Sequence, residues 1–116
     1  MAVANAMHRV TGAEALIKWP NDIVINGKKI CGILTEMSAQ FDYINHIVIG
    51  IGINVHNESF PEELQDHAGS LLLECGKRVH RADLIEAFLE DLSGYMPSIC
   101  KPRICQHYRK STISCW

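Results

Sequence analysis

The stretch Ile23-Val24-Ile25-Asn26-Gly27-Lys28-Lys29-Ile30-Cys31-Gly32-Ile33-Leu34 decides the fold. Two apolar, β-favouring runs flank Asn26-Gly27, the dipeptide that best accepts positive φ at both central positions of a type I′ turn. That turn chemistry predicts an antiparallel hairpin. Upstream, Leu16-Ile17 leads into Trp19-Pro20. The proline biases Trp19 toward an extended backbone and offers no N–H to a ladder, so a short strand ends there. Downstream, the segment from His46 to Val55 is dense in β-branched residues and reads as a strand at the centre of a sheet, buried on both faces. Gly50 and Gly52 weaken such a strand by roughly 0.5–1 kcal/mol each, so their expected purpose is close approach of a ligand or another backbone.

Helical patterns lie on either side of this β region. Ala2, Val3, Ala6, Met7 and Val10 recur at helical spacing, and Gly12 stands where a left-handed helix end wants a glycine. The abrupt start, with no capping residue ahead of it, suggests that a preceding segment is missing. After Asn57 the chain turns polar and helical. Leu84, Ile85, Phe88, Leu89, Leu92, Tyr95 and Met96 keep a 3.6-residue period, Asp83 with Glu86 resembles a capping pair, and Pro97 is the expected stop. A further short helix is expected around Gln106 to Lys110. The fold class is therefore α+β, a mixed sheet with flanking helices, divided into a sheet-forming part over 1–57 and a mostly helical part over 58–116.

The chain has 116 residues, enough for one compact domain. With 47% hydrophobic and 21% charged residues, the composition is globular and excludes a disordered or low-complexity chain. A net charge of −2 gives no overall field to attract nucleic acid or an anionic membrane. Nine of the thirteen acids fall between Glu58 and Asp91, and four bases without an acid between Lys101 and Lys110, which reads first as two differently charged solvated faces and second as a basic contact site. The longest apolar run, Ile47 to Ile53, is far short of the ~20 residues that span a bilayer. Met1-Ala2-Val3-Ala4 has no basic flank and is interrupted by Asn5, so no secretory signal is expected and the cytosol is the expected compartment. Five cysteines without a C-x-x-C pair read as reduced thiols, and Cys100, Cys105 and His107 match no common zinc spacing. No residue is assigned as a metal ligand.

The chemistry concentrates in Lys18-Trp19-Pro20-Asn21-Asp22, which sets a cation, an indole, a fixed backbone, an amide and a carboxylate within one turn between two strands. From the residues alone, Lys18 is either a partly desolvated cation placed to neutralise a carboxylate or phosphate, or a solvated lysine beside a packed Trp19. Location decides its worth. An ion pair at ~4 Å gains about 1 kcal/mol in water and about 4 kcal/mol at an effective dielectric near 20.

Three blocks together, Lys18-Trp19-Pro20-Asn21-Asp22, then Asn26 to Glu36, then Gly50-Ile51-Gly52-Ile53-Asn54-Val55, resemble the central catalytic blocks of biotin protein ligases in order, spacing and identity. The resemblance spans roughly residues 2 to 95, and the tail to Trp116 is similar to the helix before the family's small C-terminal β-barrel. It implies a two-step reaction. Biotin and Mg-ATP give biotinyl-5′-adenylate and pyrophosphate, and a lysine of a biotin carboxyl carrier domain then attacks the mixed anhydride. In this resemblance Lys18 corresponds to the catalytic lysine that contacts the biotin carboxyl and the adenylate, with an electrostatic and orienting role. Lys18, Gly32, Ile33, Leu34, Gly50 and Gly52 fall on substrate-binding positions, with Gly32 letting the fused rings lie against backbone. Trp19, Asn21, Asp22 and Asn54 fall on nucleotide-binding positions, with Asn21 and Asp22 expected to organise the loop and to help position either phosphate or its magnesium. Trp19 reads first as packing and second as an adenine stack.

The family's glycine- and arginine-rich loop, the helix-turn-helix of some members and the terminal barrel are expected to lie outside this stretch. Without the early strands, unpaired edges and apolar surface are expected, and pairing of two copies through a sheet edge is among the implied partners. Two alternatives stand beside the ligase: a non-catalytic remnant or interaction module with this fold, and a related lipoate or octanoate enzyme, for which the Trp-Pro-Asn-Asp run would be unexpected.

Overall fold

The computed structural model describes residues 1–41 and 43–99. Helix α1 (Ala2–Thr11) ends as its sequence dictates, with Gly12 at φ 80° and its N–H donating to the His8 carbonyl. Strands β1 (Leu16–Lys18), β2 (Asp22–Ile25), β3 (Lys28–Gln40) and β4 (Tyr43–Ile53) form a four-stranded sheet in sequential order, each neighbour antiparallel. A single parallel bridge, Lys29 to Ala68, adds to it. The hairpin between β2 and β3 turns on Asn26 at φ 52° and Gly27 at φ 80°, the positive values that a type I′ turn demands.

Downstream lie a 3-10 turn (Glu62–Leu64), α2 (Leu71–Cys75) and α3 (Arg81–Ile99). Ser70 caps α2, its Oγ accepting from the Leu73 N–H at 3.1 Å and donating to the Asn57 carbonyl at 2.7 Å. Helices α1 and α3 pack together, and Arg9 of α1 ties them at the surface through Glu90 (2.7 Å) and Asp91 (3.2 Å). The core lies between one face of the sheet and the helices. Met7, Ile30, Cys31 and Leu71 are fully buried there among Val3, Ile23, Ile25, Val55, Val79 and Leu84.

Three expectations are corrected. The strand read as central and doubly buried is β4, at one edge of the sheet, and from Tyr43 to Gly50 it is exposed on both faces. With β3 it forms a long ribbon that extends past the helices, and β-branched residues favour an extended backbone whether or not anything covers them. Helix α3 begins at Arg81 rather than at an Asp83 cap, leaving Asp83 in the first turn. It also continues past Pro97 to Ile99, the proline falling in the last turn, where few helical bonds remain for it to disrupt. The helix expected around Gln106 to Lys110 lies outside the described residues, as do Cys100, Cys105 and His107. No described helix is long and apolar enough to cross a membrane.

Candidate functional site

Register builds the site. Lys18 stands opposite Asp22 across β1 and β2, Asp22 opposite Gly32 across β2 and β3, and Gly32 opposite Gly52 across β3 and β4. Residues directly opposite in antiparallel strands share a face, so Lys18, Asp22, Gly32 and Gly52 form one row across all four strands. Two residues along, Leu34 faces Gly50 on the same side. This face is the one turned away from the helical core. Leu34 is 61% exposed, and Lys18, Gly50 and Gly52 are open as well.

The glycines keep the floor flat. A Cβ built at Gly52 would meet nothing closer than the Gly32 carbonyl oxygen at 3.9 Å, and one at Gly50 nothing closer than the Leu34 carbonyl oxygen at 3.8 Å. The protein's own packing therefore does not require glycine at either position. What the two glycines leave is bare backbone on the open face.

The loop between β1 and β2 is tied to the sheet by its backbone. The Ile33 N–H donates to the Asn21 carbonyl at 2.8 Å, extending the β2–β3 ladder by one rung. Trp19 beside it is 87% exposed, so it is not the packed indole that its sequence first suggests. Its Trp19–Pro20 bond is cis.

Of the residues singled out from sequence, Lys18, Asp22, Gly32, Leu34, Gly50 and Gly52 come together on the open face. Ile33 does not, because strand alternation turns it to the other side, where it packs against the core with Ile51 and Ile53. Asn54 follows β4, and its Nδ2 donates to the Gly69 carbonyl at 3.1 Å while its backbone bonds Ile30 and Leu71. That is a structural tie between the end of the sheet and the start of α2.

One residue was missed. Lys29 reaches over the same face, its Nζ 2.7 Å from Asp22 Oδ1. It was hidden because alternation along a regular strand puts residues 29 and 32 on opposite faces. The ladder shifts register between Ile23 and Val24, where Ile23 faces Cys31 but Val24 faces Lys29. The extra residue, Ile30, changes the parity and brings Lys29 to the side of Asp22 and Gly32. On the core side, burial first, then the negative charge of Asp22, with Lys29 opposing, pushes the Cys31 thiol up to about 11. Among the described residues no three His, Cys, Asp or Glu side chains cluster as metal ligands do.

Residues 1–54 match the model of the biotin/lipoate A/B protein ligase family. The chain is 48% identical over 91 residues to the bifunctional ligase/repressor BirA of Bacillus spizizenii, covering 77% of this chain and 28% of that protein. It is 43% identical over 63 residues to the biotin–[acetyl-CoA-carboxylase] ligase of Mycobacterium tuberculosis, covering 54% and 21%. The structure resembles that of the biotin protein ligase of Aquifex aeolicus at 32% identity over 84% of this chain. The TM-score is 0.74 to the apo form, of which 42% is covered, and 0.69 to the complex with biotin and ATP, of which 40% is covered. The chain thus spans well under half the length of each of these relatives.

Proposed function

Since the chain belongs to the biotin protein ligase family over the stretch it spans, we propose that it supplies the central strands of a catalytic domain that activates biotin with ATP and transfers it to a protein lysine. The observation that carries this reading is the row Lys18–Asp22–Gly32–Gly52 on the open face of the sheet, a cation at one end of a floor of bare backbone. The similar ligase of Aquifex aeolicus has a solved structure in complex with biotin and ATP, which supports that pair as the substrates.

The chemical difficulty of the first step is charge. The carboxylate of biotin must approach an α-phosphate that is already anionic, and a fixed ammonium lowers that repulsion and follows the charge into the transition state. Lys18 has the place for it, at the end of β1 and in the open. The attack itself belongs to the biotin carboxylate, which displaces pyrophosphate from the α-phosphorus. In the second step an acceptor amine attacks the anhydride carbonyl, AMP leaves, and the amine proton passes to solvent. Gly32, Leu34, Gly50 and Gly52 form the floor under the bicyclic ring, and Ile33 contributes through its backbone. Trp19, Asn21 and Asp22 frame the nucleotide side, with Asn54 acting by holding the Gly69 turn. Magnesium enters as part of Mg-ATP, the substrate form, its coordination met chiefly by phosphate oxygens and water.

The acceptor in this reading is the biotin carboxyl carrier domain of a carboxylase, the enzyme acts in the cytosol, and two copies can pair along a sheet edge. The chain divides near residue 57 into a sheet-forming part and a helical part. Pyrophosphate release on titration with biotin and ATP tests the reading, with lipoate in place of biotin as the discriminating arm. Release that depends on biotin supports it. Release with lipoate alone transfers the chain to the lipoate branch, and no release with either leaves a module that does not catalyse.

A further inference from the structure

Asp22 has two cations within reach of its position in the sheet. Lys18 is its direct cross-strand partner, and opposite charges so placed normally attract one another. Yet the carboxylate is paired with Lys29, Nζ to Oδ1 2.7 Å, and among the described residues the Lys18 ammonium makes no ion pair and no hydrogen bond. Two features produce this choice. The bulge at Ile30 turns Lys29 onto the site face, and Gly32 leaves the room that the lysine crosses: a Cβ at Gly32 would stand 3.4 Å from Lys29 Cε, 3.5 Å from its Nζ and 3.9 Å from Asp22 Oδ1.

We propose that Lys29 is a positioning residue: by occupying Asp22 across Gly32, it keeps that carboxylate from capturing Lys18 and so holds the Lys18 ammonium available for the anionic ligand. The inference deepens the ligase reading and rests on it for the identity of the ligand, though the exchange of partners is a property of the protein by itself. The main chain of Lys29 is anchored separately, its N–H donating to the His67 carbonyl at 2.7 Å and its carbonyl accepting from the Gly69 N–H at 3.0 Å. Changing the side chain therefore leaves the bulge in place.

The test has two arms. In a ligand-free structure of Lys29→Met, or of Lys29→Gln should the first not fold, the Lys18 ammonium is expected within 4 Å of the Asp22 carboxylate. A structure in which Lys18 still stands apart from Asp22 overturns the proposal, whatever the chain's activity. In the second arm, formation of biotinyl adenylate from biotin and Mg-ATP is expected to fall about tenfold in Lys29→Met and to stay near native in Lys29→Arg. A Lys29→Met variant that forms the adenylate at the native rate overturns it as well. Absence of pyrophosphate release from the native chain counts against the ligase reading, and the structural arm then decides the inference alone.

Discussion

Lys18 and Cys31 stand on opposite faces of one sheet, and their surroundings give them opposite behaviour. Lys18 is open to solvent, pairs with nothing among the described residues and contributes little to stability. Lys18→Ala is expected to leave the melting temperature within a degree or two of native. Adenylate formation should drop by a factor on the order of 10²–10³, the loss typical of removing one preorganised electrostatic partner. A variant with native adenylation kinetics would take Lys18 out of the mechanism. Cys31 is 1% exposed, and its thiol is pushed from 9.0 to about 11, chiefly by burial. A raised value means that the folded state holds the proton more tightly than the unfolded one. The stabilisation is thus complete below pH 9 and lost as pH climbs from 9 to 11, by at most about 3 kcal/mol. Denaturant titrations across that window should show a decline that Cys31→Ala flattens. An equal slope in both proteins would mean that some other group causes it. The same contrast explains why Lys18 was legible in the sequence and Lys29 was not. Lys18 sits in a dense polar pentapeptide, whereas the role of Lys29 depends on a bulge, and no residue type announces where a ladder will slip.

Among the elements, the hairpin and α1 were legible because local chemistry fixes them: Asn26-Gly27 imposes the turn, and Gly12 accepts the left-handed end. Where neighbours decide, legibility ended. The run from His46 to Val55 was correctly read as extended, but burial belongs to whatever lies on either side, and β4 has its first eight residues exposed. The short helix α2 was not anticipated either, since five residues carry too little periodicity to register. Its stability comes from a cap. Ser70 is fully buried and serves two backbone groups at once, the Leu73 N–H and the Asn57 carbonyl. Ser70→Ala would strand both in the interior, a cost of about 1–3 kcal/mol. Because Asn54 and Ser70 together fasten the end of β4 to α2, the loss should also loosen residues 54–57, seen as faster amide exchange at Leu71 and Leu72, whose N–H groups donate to the carbonyls of Asn54 and Val55. A stability change below about 0.3 kcal/mol would show that water replaces the hydroxyl without penalty.

Across the whole molecule, the helices cover only the part of the sheet nearest to α1 and α3, and the β3–β4 ribbon runs beyond them to give a long axis of 47 Å against 27 and 23 Å for the others. Val48 and Ile49 are each 53% exposed, Ile44 47% and Ile47 42%, along a strand whose outer edge has no partner among the described residues. An exposed apolar strand at a sheet edge offers both unpaired backbone groups and buriable surface, the combination that recruits another chain. The chain on its own should therefore associate as its concentration rises, with light scattering increasing steeply and more so with added sulfate, which strengthens apolar burial. Val48→Lys and Ile49→Lys place a charge on each face of the ribbon and are expected to suppress that association. Neither should lower the melting temperature by more than about 2 °C, since neither side chain belongs to the buried core. If scattering persists in the doubly substituted chain, the adhesive surface lies elsewhere, for instance at exposed Leu16 and Ile17 on β1, and substitution there with lysine becomes the next discriminating measurement.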